Sequence, residues 1–157
     1  RDDLVVVDNG SSLLQVSYGT PEVGVTAGPS VFGGVDPAAA AAADFNGDGH
    51  ADLAIANPVR PGPYAGFVML RLGDGRGGFP GEVRSSPSPA PGQQAVADFD
   101  DDGRPDLAAI VSDTHVAVYR NRGDGTFENG SVLQVGSMPV ALAVADLDGE
   151  APGWDTA

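Results

Sequence analysis

The sequence contains no cysteine and no lysine. Without cysteine there is no disulfide framework, no thiolate metal site and no cysteine nucleophile. Eight arginines are the only fixed cations against 22 acidic residues, which leaves a formal charge of −14. Nucleic acid is excluded as a natural partner, because phosphate neutralisation needs clustered cations. No apolar run approaches the ~18 residues of a membrane span, so this segment does not insert into a bilayer. The opening Arg1, Asp2 and Asp3 are not a signal peptide, which places the expected natural start upstream of Arg1. Only two histidines occur, His50 and His115, and neither a Gly-x-Ser-x-Gly elbow nor a metalloprotease helix motif is present. The chain therefore reads as a binding segment and not as an enzyme.

What the sequence does have is glycine, proline and aspartate in a repeating order. With 23 glycines and 13 prolines in 157 residues, its composition is that of many short strands joined by turns. The length suffices for one domain that buries roughly two-thirds of its unfolded surface.

Two segments match closely: DFNGDGHADL at residues 44–53 and DFDDDGRPDL at 98–107. A third, DLDGEAPGWD at 146–155, keeps the opening and then departs, with Glu150 in place of aspartate, no glycine after it, and Trp154 intruding. Asp3 and Leu4 resemble the tail of a fourth copy. Seven residues before each opening aspartate stands a proline, Pro37, Pro91 and Pro139, followed by a small apolar run. The tail leucine recurs at Leu4, Leu53 and Leu107, at intervals of 49 and 54 residues. Three prolines between Asn57 and Tyr64 mark a lengthened loop that explains the unequal spacing.

Each unit reads as four short strands: proline to acidic loop, a leucine-led run, a run ending near Gly-Asp-Gly, and a last stretch such as residues 131–135. A four-stranded repeat of about 40–50 residues is the signature of a propeller blade. The fold class expected is thus all-β, with β-propeller blades of four-stranded antiparallel sheets, about three in an open arc. The units are 1–36 (partial), 37–90, 91–138 and 139–157 (partial). The first blade lacks its innermost strand, while residues 139–146 supply such a strand without its blade. Six alanines at 38–43 favour helix by propensity, yet the repeat requires a strand there.

Oxygen ligands at positions 1, 3, 5 and 9 of a loop, with glycine at position 6, form a calcium cradle. Calcium takes six to eight hard oxygens, and carboxylates spaced by two residues converge in a tight turn. Loop one offers Asp44, Asn46, Asp48 and Asp52, and loop two offers Asp98, Asp100, Asp102 and Asp106. His50 and Arg104, at position 7, contribute main-chain carbonyls. Asp146 and Asp148 complete the candidate set in the third loop. An EF-hand is excluded because its position-12 glutamate is replaced by Ile55 and Ala109.

These loops, with the GDGTF turn at residues 123–127, give the chain its resemblance to the FG-GAP/VCBS repeat family, the repeats that build integrin α-like propellers. The resemblance implies Ca2+ sites in blade loops, secretion or surface display, and a role in adhesion or ligand binding. The partners expected are a protein or carbohydrate ligand and the remaining propeller blades, in this chain or an associated one. The competing reading is the non-catalytic propeller of a secreted carbohydrate- or lipid-active enzyme, or a lectin-like module. Arg122-Gly123-Asp124 matches an adhesion tripeptide, but its glycine and aspartate belong to the repeat's turn. Asn9-Gly10-Ser11 and Asn129-Gly130-Ser131 match glycosylation sequons and are read as hairpin turns.

Overall fold

The structure, a computed structural model, describes residues 2–22, 24–58, 66–87 and 89–145. Eleven strands form three antiparallel sheets, with no helix among the described residues. The first sheet holds β1 (Leu4–Asp8), β2 (Leu13–Thr20) and β3 (Gly24–Phe32) in that order. The second holds β4 (Ala39–Ala43), β5 (Asp52–Asn57), β6 (Phe67–Leu72) and β7 (Gly81–Ser85). The third holds β8 (Gln94–Ala97), β9 (Asp106–Ser112), β10 (His115–Asn121) and β11 (Phe127–Gln134). The sheets form an open arc of meanders and do not close into a barrel.

The middle sheet shows why its strands are apolar on both faces. Every residue of β5 is buried. Leu53, Ile55 and Met69 pack against Leu14, Val16 and Val31 of the first sheet. Ala54, Val68 and Leu70 turn the other way and join Leu107, Ala109, Ala117, Tyr119 and Phe127 of the third. Successive strand residues point to opposite faces, so a sheet covered on both sides needs apolar residues at every position. Each large side chain buried in this way stabilises the fold by roughly 1.5–3 kcal/mol. Phe45, at position 2 of loop one, enters the same core and meets Phe127 edge-on, with ring centroids 5.6 Å apart. The loop is thereby anchored to the neighbouring sheet.

The alanine run is a strand, paired with β5 from Ala39 opposite Ala56 to Ala43 opposite Asp52. Small side chains let β4 and β8 approach where adjacent blades converge. The Gln94 side-chain amide donates to the Ala54 carbonyl at 2.5 Å, adding a polar tie between these sheets.

Two expectations fail. Residues 139–145 form no strand. A strand exists only with a ladder partner, and the run that would follow the third loop lies outside the described residues. Asn129-Gly130-Ser131 is not a hairpin turn but lies within β11, at the irregularity where its pairing with β10 shifts. Gly130 is needed because a Cβ there would stand 2.7 Å from the Val118 carbonyl oxygen. The first sequon does lie in the turn between β1 and β2, where Gly10 N donates to Asp8 Oδ1 at 3.0 Å. Most of the three-proline loop falls outside the described residues.

Candidate metal centre

Both acidic loops connect the innermost strand of a sheet to its neighbour, loop one between β4 and β5 and loop two between β8 and β9. The aspartate at position 1 organises each loop from within. Asp44 accepts the amides of Gly47, Asp48 and Gly49 at 2.8–3.1 Å. Asp98 accepts those of Asp102 and Gly103 at 3.2 and 2.8 Å. Position 6 requires glycine for its backbone: Gly49 and Gly103 have φ of 84° and 82°, with no neighbouring atom where a Cβ would stand. At position 4, Gly47 and Asp101 are also left-handed, and aspartate is among the side chains that tolerate this.

The aspartate at position 9 is the fixed point. Asp52 and Asp106 are fully buried, and each carboxylate bridges two backbone segments. Asp52 accepts Phe45 N at 3.1 Å and Gly73 N at 2.8 Å. Asp106 accepts Phe99 N at 3.1 Å and Asn121 N at 2.7 Å. Burial pushes both acids above the ordinary carboxylate range, and the neighbouring aspartates add to the rise. The amide hydrogen bonds oppose it only in part.

Loop two brings three carboxylates together. One oxygen each from Asp98, Asp100 and Asp106 lies within 4.8 Å of the others, and no other such carboxylate group occurs among the described residues. Two oxygens bound to one calcium ion at about 2.3–2.6 Å cannot be more than about 4.6–5.2 Å apart. The spread of this group meets that limit, and its hard-oxygen donors suit calcium. Asp102 is not in the group. Its Oδ1 accepts the Arg104 amide at 2.9 Å, and its Oδ2 pairs with the Arg104 guanidinium. Arg104 Nε also donates to the Asn121 carbonyl at 2.8 Å. The Arg104 side chain thus closes the loop from outside, and Arg120 approaches Asp100 at 3.4 Å.

Loop one is arranged differently. Asn46 Nδ2 donates to Asp48 Oδ2 at 2.9 Å, while Asn46 Oδ1 accepts the Asp48 amide at 3.0 Å. That Asn46 bond, with the His50 amide at 2.9 Å, holds the Asp48 carboxyl below its usual range. The His50 side chain is exposed beside Gly75. Asp146 and Asp148 lie outside the described residues.

Spacing alone did not single out Asn121. It is buried, and its side-chain amide donates to the Phe45 carbonyl at 2.9 Å, linking loop one to the third sheet. The Arg122-Gly123-Asp124 segment is a hairpin turn. Arg122 N donates to the Thr126 carbonyl at 3.0 Å, and Asp124 accepts Thr126 N at 2.9 Å. Asp74 organises the corresponding turn of the second sheet by accepting Arg76 N and Gly78 N, both at 2.8 Å.

The FG-GAP-like repeat matches this sequence twice, over residues 44–109 and 98–150, and so covers both acidic loops. The chain belongs to the FG-GAP-like repeat family. Integrin alpha-IIb of Mus musculus is 34% identical over 109 residues, covering 64% of this chain and 10% of that protein. Integrin alpha-IIb of Homo sapiens is 33% identical over 112 residues, covering 66% and 11%. The chain spans about a tenth of the length of these relatives. No solved structure matches it at a significant level. In FG-GAP terms the three sheets are a run of propeller blades, the first three-stranded. No helix among the described residues is long and apolar enough to cross a membrane.

Proposed function

We propose that this chain is a calcium-binding propeller segment of an extracellular or cell-surface protein, that it serves adhesion or ligand recognition, and that it is not itself catalytic. The observation that carries the reading is the convergence of Asp98, Asp100 and Asp106 in loop two. Asp102 is the fourth side-chain candidate there, and Asp44, Asn46, Asp48 and Asp52 are the set in loop one. His50 and Arg104 contribute main-chain carbonyls, and Asp146 and Asp148 are the candidates of the third loop. The repeat units proposed are 1–36, 37–90, 91–138 and 139–157. The similarity to integrin alpha chains and the family resemblance support the adhesive role.

A bound calcium ion supplies charge: it offsets two units of the acidic excess and ties the loop's carboxylates to one point. The chain's own residues prepare that point. Asp106 is fixed by Phe99 N and Asn121 N, and Asp98 by the amides of its own loop. Ligands held in place before binding lose less conformational freedom when they bind. At ten times its dissociation constant, an ion that binds only the folded state stabilises it by about 1.4 kcal/mol per site. Thermal melting in calcium and in chelator tests the proposal. The melting temperature is expected to be higher in calcium, and equal values in both would refute it.

A further inference from the structure

The position-9 aspartates of the two acidic loops belong to different sheets, yet a run of buried hydrogen bonds joins them. Asp52 Oδ2 accepts Phe45 N at 3.1 Å. The Phe45 carbonyl accepts the Asn121 side-chain amide at 2.9 Å, and Asn121 N donates to Asp106 Oδ1 at 2.7 Å. Asp52, Phe45, Asn121 and Asp106 are each at most 1% exposed, so bulk water does not compete for these bonds. Resting on the reading of both loops as calcium sites, we propose that Asn121 is a positioning residue that couples them. Calcium in loop two tightens calcium binding in loop one, and the reverse.

The repeat itself does not call for the Asn121 side chain. At the corresponding place in each sheet a backbone amide serves that sheet's own aspartate. Gly19 N bonds to Asp3 Oδ1 and Gly73 N to Asp52 Oδ1, both at 2.8 Å, as Asn121 N does to Asp106. Gly19 and Gly73 carry no side chain, and a Cβ on Gly73 would stand 2.1 Å from the Ala51 carbonyl oxygen. Of the three positions, Asn121 alone adds a bond across the boundary between sheets. Its amide is held in one orientation, because Gly123 N donates to Asn121 Oδ1 at 2.9 Å and leaves Nδ2 for the Phe45 carbonyl.

The element has two states, with the bond between Asn121 and Phe45 made or broken. An ion in loop two fixes Asp106 and an ion in loop one fixes Asp52, and both favour the made state. Each ion then has less to order when the other is bound, so the coupling is positive, and linkage makes it equal in both directions. Direct repulsion between two dications has the opposite sign, which separates the relay from charge alone. Loop two gathers three carboxylates, whereas Asn46 and Asp48 of loop one bond to each other. Loop two therefore fills first and prepares loop one.

Calorimetric titration of calcium into the full chain tests this as a cycle. Asp100→Ala leaves loop one to bind and Asp48→Ala leaves loop two, each made with and without Asn121→Ala. Asp100→Ala is expected to weaken the loop-one site about fivefold more when Asn121 is present than in the Asn121→Ala background, the lower end of usual coupling between sites. Asp48→Ala should act on loop two by the same factor. The charge removed is common to both backgrounds and cancels. Equal weakening in the two backgrounds overturns the coupling and leaves the calcium reading intact, whereas a wild type that binds no calcium removes both. A second measurement keeps Asn121 in place. In Asp48→Ala, the Phe45 amide resonance should move as calcium fills loop two, with the midpoint of that site. A resonance that stays fixed to saturation overturns the proposal.

Discussion

Asn121 Nδ2 donates to the Phe45 carbonyl at 2.9 Å between two buried residues 76 positions apart in sequence. Asn121 ends β10 and Phe45 lies in loop one, so a single side-chain amide joins the acidic loop of one blade to the sheet of the next. Asn121 Oδ1 also accepts Gly123 N at 2.9 Å, which fixes the amide's orientation. Asn121→Ala leaves the Phe45 carbonyl and the Gly123 amide without these partners and is expected to cost about 1–3 kcal/mol. Urea unfolding at equilibrium measures the loss, and a cost within ~0.3 kcal/mol of zero would show that water replaces the bond.

Position 9 of the loops is expected to matter for folding even where calcium is absent. Asp106→Ala removes the acceptor of two backbone amides at a fully buried site, and about 2–4 kcal/mol should be lost in chelator. Asp100, at the exposed position 3, has no such burden. Asp100→Ala should stay within ~0.5 kcal/mol of wild type in chelator and fall behind it only in calcium. Parallel melts of the two variants with and without the ion separate the structural carboxylate from the binding one.

Tyr119 sets an alkaline limit. Its ring is fully buried and its hydroxyl donates to the Pro89 carbonyl. Burial raises its ionisation well above the ordinary value of 10.0. Below that value both folded and unfolded chains keep the proton, and this group adds no pH dependence. Above it the unfolded phenol ionises while the folded one does not, so stability falls by up to about 1.4 kcal/mol per pH unit. Tyr119→Phe should be about 1 kcal/mol less stable than wild type at neutral pH, through loss of the hydroxyl bond. The gap should narrow as pH climbs past 10. A gap that stays constant over that range would show that the phenol ionises alike in both states.

Much of the arc was legible because β5 and β9 begin on the repeated loop, and their register fixes everything that pairs with them. The alanine strand β4 was legible for the same reason, although helix propensity argued against it. Residues 139–145 were misread because repetition reports what a segment resembles and not whether a ladder partner is present. Asn129-Gly130 was misread because a bulge and a turn call for the same residues.

In the loops, spacing by two explains why Asp98 and Asp100 converge, but it carries no sign that Arg104 would hold Asp102. That pairing depends on where a long side chain folds back in three dimensions. The link from Asn121 to Phe45 is legible in neither repeat, since its partners come from different blades and occupy unmatched positions.

The central claim is that the acidic loops bind calcium, and isothermal titration calorimetry of calcium into the metal-free chain tests it most directly. The account predicts saturable binding in the range of about 0.1–1 mM, typical of extracellular modules. Loop two should supply the tighter site, lost in Asp100→Ala, and loop one a weaker site, lost in Asp48→Ala. No saturable heat up to several times ~1 mM, from a chain that is folded by circular dichroism, would contradict the account and leave the loops as turns.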